Sequence, residues 1–329
     1  GLKGPKRTNM QITEIIEQAR REGRTRFAFE LLPPLKGDGT AGVFSAIDPL
    51  MEFGPAYINV TYHREDVKYV ERGNGLLEKR IVRRRPGTVG ISAAIMKRYG
   101  VEAVPHLICG GLSRYDIEDA LIDLDFLGVN NVLALRGDNL RGEHSFAPHP
   151  QGHAHACDLV AQIADMNAGI FVDGEVQPCH HSRFCIGVAG YPEKHAESPN
   201  PESDMLYLKR KVDAGASYIV TQMSFDNARI FDFIRRCREA GITVPVIPGI
   251  KPLSTKAHLT VLPQVFHVDL PQELVAEASG CPDNAAVREV GVRWAVRQVR
   301  ELREAGIPVV HFYTMGKTDN VVKIIREAL

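Results

Sequence analysis

Several things are scarce in this sequence of 329 residues, and each scarcity excludes something. There is one tryptophan, and six cysteines (Cys109, Cys157, Cys179, Cys185, Cys237 and Cys281) are scattered without a single C-x-x-C pair. Such spacing is unlike the dense framework of a small secreted disulfide scaffold, so the cysteines are read as reduced thiols. An excess of charge is also missing, since 40 Lys and Arg balance 40 Asp and Glu. No overall field draws the chain to nucleic acid or to an anionic membrane, which leaves a small molecule as the expected partner. No apolar run approaches the ~18 residues of a membrane-spanning helix, and the opening GLKGPKRTNM lacks the apolar stretch of a signal peptide. A cytoplasmic enzyme is the expectation, with residues 1–10 set apart as a tail.

What is present describes a folded enzyme. Hydrophobic residues make up 44% and charged residues 24%, which suits a globular chain with a substantial core. Eight short runs rich in β-branched, aromatic or other apolar residues recur between turn signals: RFAFELLP from Arg26, AYINVTYH from Ala56, EAVPHLIC from Glu102, NVLALRGD from Asn131, FCIGVAGYP from Phe184, YIVTQMSFD from Tyr218, VPVIPGIKP from Val244 and VVHFYTMG from Val309. Their near-continuous apolar character suits parallel strands covered on both faces. The stretches between them carry helical periodicity, as in Val292, Ala295, Val299 and Leu302, and glycines such as Gly306 stop those helices. Two excursions, roughly 139–182 and 256–282, read as loop insertions with extra helix. The pattern predicts a single (β/α)₈ TIM barrel over residues 11–329.

In such a barrel, chemistry gathers where the strands end. Those ends offer Glu30; Thr61, Tyr62 and His63; His106; Arg136 and Asp138; Tyr191; and Gln222. Glu30 sits in the apolar run FAFELLPP, where desolvation raises a carboxyl pKa towards that of a general acid, although a structural pairing with arginine is the alternative. Asp138 follows Arg136 closely, so an internal ion pair competes with a catalytic role. The segment CHHSRFC brings Cys179, His180, His181 and Cys185 close in sequence, but the spacing is poor for zinc. The loop histidines His144, His149, His153 and His155 read as solvated, and no metal is expected. No phosphate-binding G-x-x-x-x-G-K-[ST] occurs, so any nucleotide must be held otherwise. The run RIVRRR, residues 80–85, reads as a solvated face. SDMLYLKRKVDAG reads as a helix capped by Ser203, with Asp204, Tyr207 and Lys211 on one face, either an anion site or an ordinary charged surface.

Taken together, FELLPP, VTYH, PHL, LALRGD, AGYPEKH, LKRKVDAGA, TQMSFD, IPGIKP and HFYTMGK resemble, in this order, the bacterial methylenetetrahydrofolate reductases. The resemblance spans the chain from about Gln11 onward. It implies a flavoprotein barrel that takes hydride from NADH or NADPH onto FAD and then reduces methylenetetrahydrofolate to methyltetrahydrofolate by ping-pong chemistry, supplying methyl groups for methionine synthesis. By the same resemblance, Glu30 is the acid that opens the folate's five-membered ring. Asp138 lies near flavin and pterin, and Gln222 contacts folate and nicotinamide. Thr61, Tyr62, His106, Arg136, Gly137, Asp138, His155, Ala156, Tyr191, His195, Asp204, Tyr207, Arg210 and Lys211 fall on FAD-contact positions, and His258 and Lys317 on folate-contact positions. At His155, Tyr207, Ser224 and Lys317 the residue types differ from those the family most often carries. The resemblance also implies a homo-oligomer. Because KTDNVVKIIREAL supplies only a closing helix, no S-adenosylmethionine-binding domain is expected. Two other readings share the barrel. A flavin-free reductase would not need the Asp204 and Lys211 face, and a lyase or aldolase would want a lysine on the sixth strand, where TQMSFD has none.

Overall fold

The computed structural model describes residues 9–139, 145–176, 180–315 and 317–329. Among the described residues ten strands form: β1 (Arg26–Leu31), β2 (Ile58–Val60), β3 (Asp66–Glu71), β4 (Leu77–Val82), β5 (Ala103–Ile108), β6 (Asn131–Leu135), β7 (Cys185–Gly190), β8 (Tyr218–Met223), β9 (Val246–Ile250) and β10 (Val309–Tyr313). All except β3 and β4 pair in parallel and close into a barrel in the order β1-β2-β5-β6-β7-β8-β9-β10, with β10 returning to β1. The eight runs read from the sequence are these eight strands.

Both faces of the barrel strands are covered, which is why their sequences do not alternate. Phe27 and Phe29 of β1 pack outward with Val292, Val299 and Ile325 of the helices Asn284–Glu304 and Asp319–Ala328. Ala28, between them, joins the inner cluster with Tyr57, Val104, Leu133, Tyr218 and Val309. Inside, large rings lie over glycines. A Cβ on Gly187 would overlap the ring of Tyr218, and one on Gly249 the ring of Tyr313, so these two positions must stay bare.

The helix Ile12–Arg21 plugs the end of the barrel where the strands begin. Ile12, Ile15 and Ile16 form one helix face and are buried in the inner cluster. Asn131 at the start of β6 accepts the Ile12 N–H (2.9 Å) and donates to the Met10 carbonyl (2.9 Å). Glu102, just before β5, accepts the Met10 N–H (2.9 Å).

Both insertions carry the expected extra helix: Ala156–Asn167 in the first, His258–Phe266 and Gln272–Ser279 in the second. Two features differ from the sequence reading. An antiparallel hairpin, β3 with β4, leaves the chain just after β2, and part of RIVRRR forms its second strand. Its arginines are engaged: Arg80 pairs with Glu78 at 2.9 Å, Arg84 pairs with Asp66, and Arg85 donates to the Pro33 carbonyl. The helix after β7 spans Pro201–Asp213 and is capped by Asn200 rather than Ser203. Asn200 accepts the Ser203 N–H at 2.7 Å, and Pro201 at the first helical position fixes the start one turn earlier. Among the described residues, no helix is long and apolar enough to cross a membrane.

Candidate functional site

At the mouth of the barrel, the parallel register sets Glu30 beside Asn59 on one side and Tyr313 on the other. The Thr314 hydroxyl donates to the Glu30 carbonyl at 2.6 Å, fixing the strand end. The Glu30 side chain is 19% exposed. Burial raises its carboxyl to about pKa 7, and the ammonium of Lys251 opposes that rise. Its nearest basic group is His106, with Nε2 3.9 Å from Oε2. Burial lowers that imidazole to about 3, so it is neutral near pH 7, and its buried Nε2 has no hydrogen-bond partner. Among the described residues no arginine lies within ion-pair distance of Glu30. The alternative of a structural carboxylate–arginine pair therefore lapses.

Around this acid the interior is unusually polar. Tyr57 stacks on His311 (ring centroids 6.0 Å), His311 meets Tyr313 edge-on (4.9 Å), and the Tyr313 hydroxyl donates to the Thr221 carbonyl (2.6 Å). Gln222 closes β8, where its side-chain oxygen accepts the Met223 N–H (3.0 Å). His258 lies half-buried beyond β9 with its Nδ1 accepting the Ser254 N–H (3.2 Å), and burial together with Lys251 lowers it to about 4. Lys317 is exposed after β10.

A second cluster occupies the ends of β6 and β7. Arg136 does not pair with Asp138; it makes a two-pronged contact with Glu197 at 2.6 and 2.8 Å and lies over the Phe146 ring at 4.8 Å. Asp138 is exposed, with His63, Tyr191 and Arg136 feeling its charge. Gly137 has φ +88°, and a Cβ there would press on Ile108 at 3.3 Å, so this turn after β6 favours glycine. Tyr191 and His195 meet edge-on at 4.8 Å. Asp204 accepts the His195 N–H (3.2 Å) and the Ser198 hydroxyl (2.7 Å), while Lys211 donates to the Ala189 carbonyl (2.7 Å). Burial brings Lys211 down to about 8.

The remaining predicted positions form the rim. Tyr207 and Arg210 are exposed and stack on each other at 5.5 Å; His155 precedes the helix Ala156–Asn167. The Thr61 hydroxyl meets His63 Nε2 at 3.0 Å and the Leu31 carbonyl at 3.3 Å. The Tyr62 hydroxyl is pushed up in pKa by burial. Asp204 and Lys211 thus face the cluster, as their helical spacing predicts, whereas Tyr207 does not.

Sequence reasoning missed Lys251 and Arg64. Arg64 packs over the Gly110–Gly111 turn, where the missing side chains leave room for it, and its buried Nη1 has no partner. The same turn touches Phe146, over which Arg136 lies, so an unpaired guanidinium nitrogen stands on the Arg136 side of the site, a donor suited to an anionic ligand. His180 contacts Asp125 (2.7 Å), Cys185 is buried in β7 near Thr13, and Cys179 and His144 lie outside the described residues. Among the described residues no group of three His, Cys, Asp or Glu is placed to hold a metal ion.

Comparison with known proteins places the chain. A family model described as methylenetetrahydrofolate reductase matches residues 15–328. Methylenetetrahydrofolate reductase (NADH) 1 of Zea mays is 31% identical over 326 residues, covering 96% of this chain and 50% of that protein. The 5,10-methylenetetrahydrofolate reductase of Pectobacterium carotovorum is 30% identical over 301 residues, covering 91% of this chain and 88% of that one. The chain thus spans about half the length of the plant relatives and most of the length of the bacterial one. Among solved structures, an uncharacterized protein from Clostridium thermocellum, described as binding two copies of 5-methyl-5,6,7,8-tetrahydrofolic acid, shares the fold with TM-score 0.56 at 13% identity, covering 95% of this chain and 98% of that one.

Proposed function

This chain belongs to the methylenetetrahydrofolate reductase family, and from that premise we propose that it reduces 5,10-methylenetetrahydrofolate to 5-methyltetrahydrofolate, with FAD as hydride carrier and a nicotinamide nucleotide as donor. The observation that carries this reading is the Glu30 carboxyl, held at the barrel mouth with its proton retained to about pH 7. Opening the folate's five-membered ring requires such a proton. Glu30 delivers it to the bridging nitrogen, the C–N bond to the methylene carbon breaks towards that nitrogen, and the resulting iminium carbon accepts hydride to become the methyl group. When bound, FAD supplies the two-electron relay between nicotinamide and folate.

The protein's own part is to hold and to polarise. Arg64, Arg136, Arg210 and Lys211 offer cationic donors for the dinucleotide's diphosphate, with Gly137 beside them in the turn after β6. Tyr191 and His195, in ring contact, and Asp204, which accepts the His195 N–H, form one wall, with Thr61, Tyr62, His106, His155 and Ala156 as further contact positions, while Tyr207 stays on the exposed rim. Asp138 places a negative charge near the cationic iminium. Gln222 orients folate and nicotinamide in turn, and His258 and Lys317 face the folate's outer portion. The test is to follow the flavin spectrum anaerobically. NADH or NADPH should bleach the flavin absorbance and methylenetetrahydrofolate should restore it. A colourless protein that reduces folate directly from NADH would overturn the flavin part, and no folate turnover would overturn the whole.

A further inference from the structure

We propose that Lys251 is a positioning residue for proton donation by Glu30, its ammonium balancing the negative charge that the carboxyl acquires when the proton leaves. The inference rests on the functional reading above and extends it to a residue that the family resemblance leaves without a role.

Register brings the two together. Gly249 of β9 pairs with His311 of β10, Ile250 pairs with Phe312, and Tyr313 pairs with Glu30. Lys251 follows Ile250 just past the end of β9, and the register continued by that one residue brings it level with Tyr313, the partner of Glu30. Ile250 packs outward with Phe27 and Phe312, whereas Gly249 faces the Tyr313 ring inside the barrel. The two-residue period of a strand therefore turns Lys251 inward as well. It is only 5% exposed, and among the described residues no carboxylate lies within ion-pair distance of it. A lysine so largely desolvated without a carboxylate partner is costly, and here the cost places a charge opposite the catalytic acid.

The neighbouring groups leave Lys251 as the source of positive charge. Just before β2, Tyr57 lies close enough to Glu30 to feel its charge and has a phenol that burial keeps protonated, and Asn59 on β2 is uncharged. From β5, His106 is held neutral, and from β10, Tyr313 is kept protonated by burial. Beyond β9, His258 is also neutral near pH 7. Burial brings Lys251 down to about 8 while Glu30 holds it up, so it carries its proton at neutral pH. Each of the pair makes the other's charged form easier to sustain. Once Glu30 has given its proton to the folate nitrogen, the carboxylate left behind stands opposite Lys251 instead of an apolar wall.

The experiment is Lys251→Met, a chain of similar length without the charge. In the wild type, the folate half-reaction should lose rate as pH rises through the Glu30 titration. In Lys251→Met that descending limb should move up by about one unit, and the plateau rate on its acid side should fall by up to about tenfold, because the carboxyl becomes a weaker acid. Reduction of the flavin by NADH should stay at the wild-type rate, and Lys251→Arg should return the limb most of the way. Infrared titration of the carboxyl band that Glu30→Gln abolishes reads the same shift without turnover. It also serves if Lys251→Met folds poorly and Lys251→Gln must replace it. An unmoved carboxyl titration and an unmoved limb would overturn the role of Lys251 while leaving the reductase reading standing. A wild-type protein inactive on methylenetetrahydrofolate would overturn that reading itself, and an unmoved infrared titration would still decide against Lys251.

Discussion

His106 Nε2 stands 3.9 Å from Glu30 Oε2, yet near neutrality the two do not form an ion pair. Burial lowers the imidazole to about 3 and raises the carboxyl to about 7, so both are uncharged across the interval between. The mouth of the barrel therefore stores a proton on Glu30, with no cationic histidine to pull it off.

Glu30→Gln should leave flavin bound and still reducible by NADH, while the folate half-reaction falls by ~10²-fold or more. In the wild type the acid works in its protonated form, so the folate step should slow as pH rises through about 7. Stopped-flow measurement of the two half-reactions separates these effects. An equal loss in both would make Glu30 a structural support of the shared site.

Lys211→Ala should weaken flavin retention by about tenfold or more, because a charge-assisted contact of this kind contributes roughly 1.5–3 kcal/mol. Lys211 titrates near 8 in the flavin-free protein, so the affinity of the wild type should decline as pH rises through that value and the ammonium is lost. Quenching of flavin fluorescence on titration with apoprotein measures both. Unchanged affinity in the variant would remove this helix from the cofactor site.

His311 is fully buried, and its imidazole is lowered from 6.5 to about 3. Below pH 6.5 the unfolded chain binds a proton that the folded chain refuses, so stability present above 6.5 is lost as pH falls towards 3. Between pH 6.5 and about pH 4.5 this one residue should account for roughly 2–3 kcal/mol. Urea midpoints across that range, compared with His311→Leu, test the point. The variant should show a flatter acid side, and identical slopes would refute the assignment.

Gly187→Ala should destabilise the protein by about 1–3 kcal/mol, since its methyl would overlap the ring of Tyr218. Pairing it with Tyr218→Leu should cost less than the sum of the two single changes, because the smaller side chain vacates the contested space. Strict additivity in thermal or chemical unfolding would show that the two positions do not compete.

The barrel was legible because eight apolar runs, each closed by polar residues, leave few other architectures. Glu30 stood out for the same reason, as a charge in an apolar run. The hairpin was not read, although Gly73-Asn74-Gly75 lies between its strands, because the clustered arginines of RIVRRR drew attention to charge rather than to alternation. Lys251 stands in a run as apolar as that of Glu30, but its direction depends on which of Gly249 and Ile250 faces inward, and the cross-strand register decides that. The role of Ile12, Ile15 and Ile16 was hidden in a similar way. Their spacing gives a helix with an apolar face, and only the closed barrel supplies the hole that face fills.

That plug has a consequence for the traffic of protons. With isoleucines sealing one end, the opposite opening is left for water, and under the function proposed above it is also the entrance for folate. A seated folate would therefore cork the route by which Glu30 is recharged. Each turnover would then run on a proton loaded beforehand, and its replacement would wait until the methylated product has left.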